Sequence, residues 1–226
     1  MTRICAHAGI DGTIPNSLES LELASLRGYD VVEFDITRYG EKLVLAHDIE
    51  ARFETEPPPL LAGGLALLKN RDITVNCDIK EPSMTPEVSA LIKEFGMEDK
   101  AFFTGEIAPD FESLTPYKFF LNADNPCLDI PPRIGLTEAE KLAGFFRNSG
   151  NSNFLGYNFD YLVLAPEGLA LFLNENIPFI LWTVDDEALI PGYIDKGIWG
   201  LTTNKTRFAL EYRNSALRSP EQFSGL

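Results

Sequence analysis

Short apolar runs and stretches of helical period alternate along the chain. Residues 3–8 (RICAHA) read as a buried strand closed by Gly9. Asn16 or Ser17 can cap a helix over residues 18–27, with Leu18, Leu21, Ala24 and Leu26 on its apolar face and Gly28 as its stop. Residues 31–37 follow as a strand in which Val32, Phe34 and Ile36 alternate with Val31, Glu33, Asp35 and Thr37. Successive strand side chains face opposite ways, so Glu33 and Asp35 share a face. A turn at Tyr39-Gly40-Glu41 leads into a second short strand over residues 43–46, which delivers His47 and Asp48 to its end. Residues 73–80 (ITVNCDIK) repeat the alternation, placing Asp78 and Lys80 on one face with Thr74 and Asn76.

The alternation continues with strands predicted at 101–104, 118–122, 154–158, 177–184 and 198–202. Between them, helices are predicted at 60–70 (weakened by Gly63 and Gly64), 86–95, 138–147, 166–174, 186–196 and 205–212. Setting aside the appended strand at 43–46, eight strands alternate with helices, and near-continuous apolar strands suit a parallel sheet buried on both faces. The pattern predicts an α/β fold, a (β/α)8 TIM barrel over residues 1–214, with an aperiodic tail over 215–226. A doubly wound sheet is the structural alternative.

Composition narrows the partners. The 226 residues are 45% hydrophobic and 23% charged, as in an ordinary globular domain. Nineteen basic against 34 acidic residues give a net charge of −15, which argues against nucleic acid and anionic membranes as partners. An anionic substrate would need a cation to bind. The chain shows neither an apolar run of spanning length nor a signal-peptide pattern, so the expectation is a cytoplasmic protein without integral membrane contact. Cys5, Cys77 and Cys127 are scattered and read as reduced packing residues.

In a barrel, chemistry sits at the C-terminal ends of the strands. His7, Glu33, Asp35, His47 and Asp78 all fall there, and the two histidines are the only ones in the chain. Three carboxylates without thiolates make a hard oxygen site suited to one divalent cation, Mg²⁺ or Ca²⁺. The histidines are then left for proton transfer, one as base and one as acid. Such a cation would hold a phosphate inside an acidic protein, with Lys80 helping to neutralise it. Trp182 fits either an apolar wall for a substrate or a core position in its strand. Asn122, Asn158 and Asn204 lie near strand ends, Asn204 equally suited to capping the last helix, and Asp185 and Asp186 read as N-terminal charges of the helix that follows.

Several motifs resemble the glycerophosphodiester phosphodiesterase family. His7-Ala8-Gly9 is similar to its HRG, Asn16-Ser17 to its ENT, residues 28–35 (GYDVVEFD) to its G-x-D-x-x-E-x-D, and residues 44–48 (VLAHD) to its V-x-x-H-D. Asp78-Ile79-Lys80 resembles the E-x-K strand, Trp182-Thr183-Val184 the W-T-V strand, and residues 200–204 (GLTTN) the closing G-x-x-T-D. The resemblance implies hydrolysis of a small glycerophosphodiester to glycerol 3-phosphate and an alcohol. It implies Glu33, Asp35 and Asp78 as metal ligands and His7 and His47 as the acid and base. In that family a substrate hydroxyl beside the phosphate can attack first, giving a cyclic phosphodiester that water opens. Ala8 stands in place of the arginine that contacts phosphate in the family, Pro15 in place of the ENT glutamate, and Asp78 where glutamate is usual.

The residues also fit other readings. One is a non-catalytic protein binding metal and phosphodiester on the same fold. A second is a phosphodiesterase for lysophospholipids or cyclic phosphates, as in the related sphingomyelinase D and phosphatidylinositol phospholipase C barrels. A third is a barrel enzyme of another chemistry, such as an enolising lyase.

Overall fold

A computed structural model describes residues 1–8, 10, 12–107 and 117–218. Among them are the strands β1 (Arg3–Ala6), β2 (Val31–Tyr39), β3 (Lys42–Leu45), β4 (Thr74–Ile79), β5 (Ala101–Gly105), β6 (Lys118–Asn122), β7 (Phe154–Asp160), β8 (Phe179–Trp182) and β9 (Gly200–Thr203). The helices are α1 (Leu18–Arg27), α2 (Leu61–Leu68), α3 (Thr85–Glu94), α4 (Leu136–Asn148), α5 (Pro166–Asn174), α6 (Ile190–Asp195) and α7 (Thr206–Arg218). The strands run β1-β9-β8-β7-β6-β5-β4-β2, and parallel pairing of β1 with β2 closes the ring. This is the eight-stranded parallel barrel, and closure rules out an open doubly wound sheet. β3 hangs on β2 as an antiparallel ninth strand, with Ile36 opposite Leu45.

The period-two pattern separates two cores. Outward residues such as Phe34, Val75, Phe103, Leu121, Phe159 and Leu201 join one large cluster beneath the helices. Inward, Cys5, Val31, Phe102, Phe120 and Ile180 form a separate cluster that Leu155 and Trp199 pack against. The Phe120 and Trp199 rings lie 4.5 Å apart and the Arg3 guanidinium sits 4.3 Å from the Trp199 centroid. The floor of the barrel is thus an apolar plug, and the inward positions further along the same strands are polar.

The helix expected over residues 60–70 forms as α2 despite its glycines: a Cβ on Gly64 would come within 3.1 Å of Leu21 and 3.0 Å of Leu45, so the bare backbone there lets α1 and β3 approach. Two elements differ from the sequence pattern for physical reasons. α6 starts at Ile190 and not at residue 186, because the Asp186 carboxylate accepts from the Ala188 N–H and turns the chain first. α7 runs on to Arg218, past the expected barrel end at residue 214, because residues 213–218 contain no helix breaker and Arg213 is anchored in an ion pair with Asp30. Residues 219–226, the rest of the expected tail, lie outside the described residues. Cys5 and Cys77 are buried as expected of packing residues, whereas Cys127 is exposed. No helix among the described residues is long and apolar enough to cross a membrane.

Candidate active site

The polar inward positions open into a cavity of about 340 Å³ at the C-terminal mouth of the barrel. Its lining contains all seven residues singled out from the sequence: His7, Glu33, Asp35, His47, Asp78, Lys80 and Trp182. Asn76, Thr104, Asn122, Asn158, Thr183 and Thr202 complete the wall. Strand register explains the convergence, since Asp35 pairs directly with Asp78, and Asp78 with Thr104 on the next strand.

Glu33, Asp35 and Asp78 each offer a carboxylate oxygen, and these atoms lie within 4.8 Å of one another. Each acid is held by its own partner. The Ala8 N–H donates to Glu33 at 2.7 Å, the Asn16 amide to Asp35 at 2.7 Å, and the Thr104 hydroxyl to Asp78 at 2.7 Å. Lys80 Nζ bridges Asp35 and Asp78 at 2.6 Å from each. Burial, then the neighbouring Asp35 and Asp78, raise the Glu33 carboxyl well above its ordinary value, against the Ala8 hydrogen bond. With all three acids ionised, as ligation of a cation requires, one ammonium against three carboxylates leaves two negative charges, the deficit a divalent cation would fill, and the all-oxygen donor set suits a metal ion.

The two histidines flank this cluster and each commits Nδ1 away from the cavity. His7, just past β1, shares a hydrogen bond of 3.1 Å between Nδ1 and Asn204 Oδ1. His47, just past β3, pairs Nδ1 with the Asp48 carboxylate at 2.7 Å and is exposed. In both rings Nε2 is the nitrogen left for a substrate.

Trp182 lies between this cavity and a second one of about 320 Å³, walled by Ile130, Pro131, Pro132 and Val163 and sharing Asn158 with the first. Its indole N–H is buried without a hydrogen-bond partner among the described residues. Trp182 is half-buried and lines both cavities.

The sequence pattern missed three supporting residues. Asn16 is buried with a left-handed φ of 61° and bonds Asp35 through both its amide groups, while Ser17 caps α1. Asp185 does not serve α6 but binds Asn204. Gly105, at φ +80°, is required because a Cβ there would sit 2.3 Å from the Ile79 carbonyl and 2.9 Å from Asp78 Oδ1. Gly9 and residues 108–116 lie outside the described residues.

Solved structures share this architecture across their whole length. A glycerophosphodiester phosphodiesterase from Parabacteroides distasonis ATCC 8503 superposes with a TM-score of 0.74, covering 96% of this chain and 98% of its own at 19% identity. The fold is that of the glycerophosphodiester phosphodiesterases. An Oleispira antarctica phosphodiesterase, solved in complex with the product sn-glycerol-3-phosphate, gives 0.72 over 97% and 98% of the two chains at 16% identity. The glycerophosphodiester phosphodiesterase of Thermotoga maritima gives 0.68 over 94% and 99%, also at 16%. No protein-family model and no curated protein sequence matches the chain, so the likeness to the glycerophosphodiester phosphodiesterases is one of fold.

Proposed function

We propose that this protein is a divalent-cation-dependent phosphodiesterase that hydrolyses a glycerophosphodiester to glycerol 3-phosphate and an alcohol. The observation that carries this reading is one cavity lined by three clustered carboxylates, a lysine and two histidines. Glu33, Asp35 and Asp78 would hold Mg²⁺ or Ca²⁺, which when bound supplies Lewis-acid charge for the phosphate oxygens. Lys80 is the cation that the lining itself offers to a phosphate oxygen. One histidine accepts, through Nε2, the proton of the attacking oxygen, whether water or a substrate hydroxyl. As that oxygen bonds to phosphorus and the bond to the alcohol breaks, the other histidine gives a proton to the departing oxygen. The second cavity, with Trp182 as its shared wall and Asp124 and Asp160 beside its apolar residues, receives the alcohol part. The product bound to the Oleispira antarctica neighbour supports glycerol 3-phosphate as the retained half.

A second reading, binding without turnover, is favoured by one observation. Ala8 is buried at 4% exposure and leaves the position of the family's phosphate-contacting arginine without a side-chain donor. Both readings are tested by incubating the protein with glycerophosphocholine, glycerophosphoethanolamine and glycerophosphoinositol, with and without EDTA. Release of glycerol 3-phosphate that EDTA abolishes supports the enzyme. Release unaffected by EDTA overturns the metal-dependent reading, and calorimetric binding without any product establishes the binding protein.

A further inference from the structure

We infer that Asp185 is a positioning residue for His7, acting through Asn204 to hold the imidazole in the Nδ1–H tautomer with Nε2 as its proton-accepting atom. The inference rests on the reading of His7 as a proton-transfer group. Three loops meet here: His7 follows β1, Asn204 follows β9, which pairs with β1, and Asp185 follows β8. The Asp185 carboxylate accepts from the Asn204 side-chain amide at 2.6 Å, from the Asn204 backbone N–H at 2.7 Å and from the Thr203 hydroxyl at 3.1 Å.

A carboxylate only accepts, so the Asn204 nitrogen must face Asp185 and its oxygen must face His7. That oxygen also only accepts, so the hydrogen of the 3.1 Å contact belongs to His7 Nδ1. Burial pushes the Asp185 carboxyl up, but the hydrogen bonds from Asn204 and Thr203 outweigh it and hold the group below its usual range. The acceptor at the start of the chain is therefore permanent at neutral pH. Neither residue is spent elsewhere: Asp186 makes the turn before α6, and both polar atoms of the Asn204 side chain are engaged between Asp185 and His7.

With only two histidines in the chain, the imidazole nitrogens can be read directly in a ¹⁵N–¹H correlation spectrum, with His47→Ala assigning the rings. The expected result is His7 in the Nδ1–H form. In Asp185→Ala the ring shifts towards Nε2–H, and kcat for the glycerophosphodiester falls about 10- to 100-fold, part of what a positioned acid or base contributes. KM stays within about two-fold, because ground-state binding is untouched. Asp185→Asn combined with Asn204→Asp exchanges donor and acceptor while keeping each hydrogen bond, and returns kcat to within about three-fold of the starting protein, whereas Asn204→Asp alone sets two carboxylates against each other and does not. An Nε2–H tautomer in the unsubstituted protein overturns the inference, even if Asp185→Ala fails to fold. So does an unchanged tautomer and kcat in folded Asp185→Ala. The tautomer is read without substrate, so failure of any glycerophosphodiester to turn over would refute the proposed function and leave this test standing.

Discussion

Lys80→Met separates the two jobs that the structure gives to one ammonium. Methionine keeps an unbranched stem of similar length but removes the charge that bridges Asp35 and Asp78 at 2.6 Å. Burial would lower the Lys80 ammonium, but Asp78 and Asp35 outweigh it and raise it above its ordinary range, so the folded site relies on that charge. Breaking a buried pair from one side costs about 3–5 kcal/mol, and the 21% exposure of the lysine points to the lower end, about 3 kcal/mol. For a chain of 226 residues that amounts to a fall of about 6–12 °C in Tm. With its acids ionised the variant site carries three negative charges in place of two, so it binds a divalent cation more tightly, and in excess cation each ten-fold gain in affinity over the unsubstituted protein narrows the gap by about 1.4 kcal/mol. Thermal unfolding of both proteins in EDTA and in excess Mg²⁺ or Ca²⁺ is the assay. The gap opens in EDTA and narrows with cation, while hydrolysis stays low because the phosphate has lost its lysine. Equal Tm values in EDTA, or a gap that the cation leaves unchanged, would refute the charge balance.

Three further outcomes follow from the same geometry. Glu33 has a folded-state carboxyl raised above its ordinary 4.5, so its contribution to stability is present below that value and is lost as pH rises through the folded-state value; in EDTA, Glu33→Gln should flatten the fall in denaturant midpoints as pH rises above 4.5, and an identical slope would contradict it. Gly105→Ala forces a Cβ against the Ile79 carbonyl at positive φ and should cost about 2–3 kcal/mol in urea unfolding while weakening cation affinity by displacing Asp78. Trp182→Ala should raise KM roughly ten-fold with kcat little changed, because it removes a wall shared by both cavities and no proton-transfer group.

The barrel and the acid cluster were legible in the sequence for the same reason. A strand period of two puts Glu33 and Asp35 on one face and Asp78 and Lys80 on another, and parallel register brings those faces together. The supporting bonds were not legible, because they join residues far apart in sequence. Asn16 looked like a helix cap, and only the closed ring shows its amide on Asp35, 19 positions away. Asp185 sits where a helix would want a negative charge, yet the chain turns first and the carboxylate faces Asn204. Trp182 belongs to an apolar strand, and its place at a wall depends on the irregular segment after β6 that supplies Ile130, Pro131 and Pro132.

In the proposed function Glu33, Asp35 and Asp78 hold a cation while His7 and His47 move protons at a phosphodiester. The most direct measurement of this is a ³¹P NMR time course of a glycerophosphodiester in ¹⁸O-water with Mg²⁺ or Ca²⁺, run on the unsubstituted protein, His7→Ala and His47→Ala. The unsubstituted protein should release glycerol 3-phosphate carrying one ¹⁸O on phosphorus, with the rate falling at least about 100-fold in either variant. An unchanged rate in both variants, or ¹⁸O found in the alcohol and not on phosphorus, would contradict it.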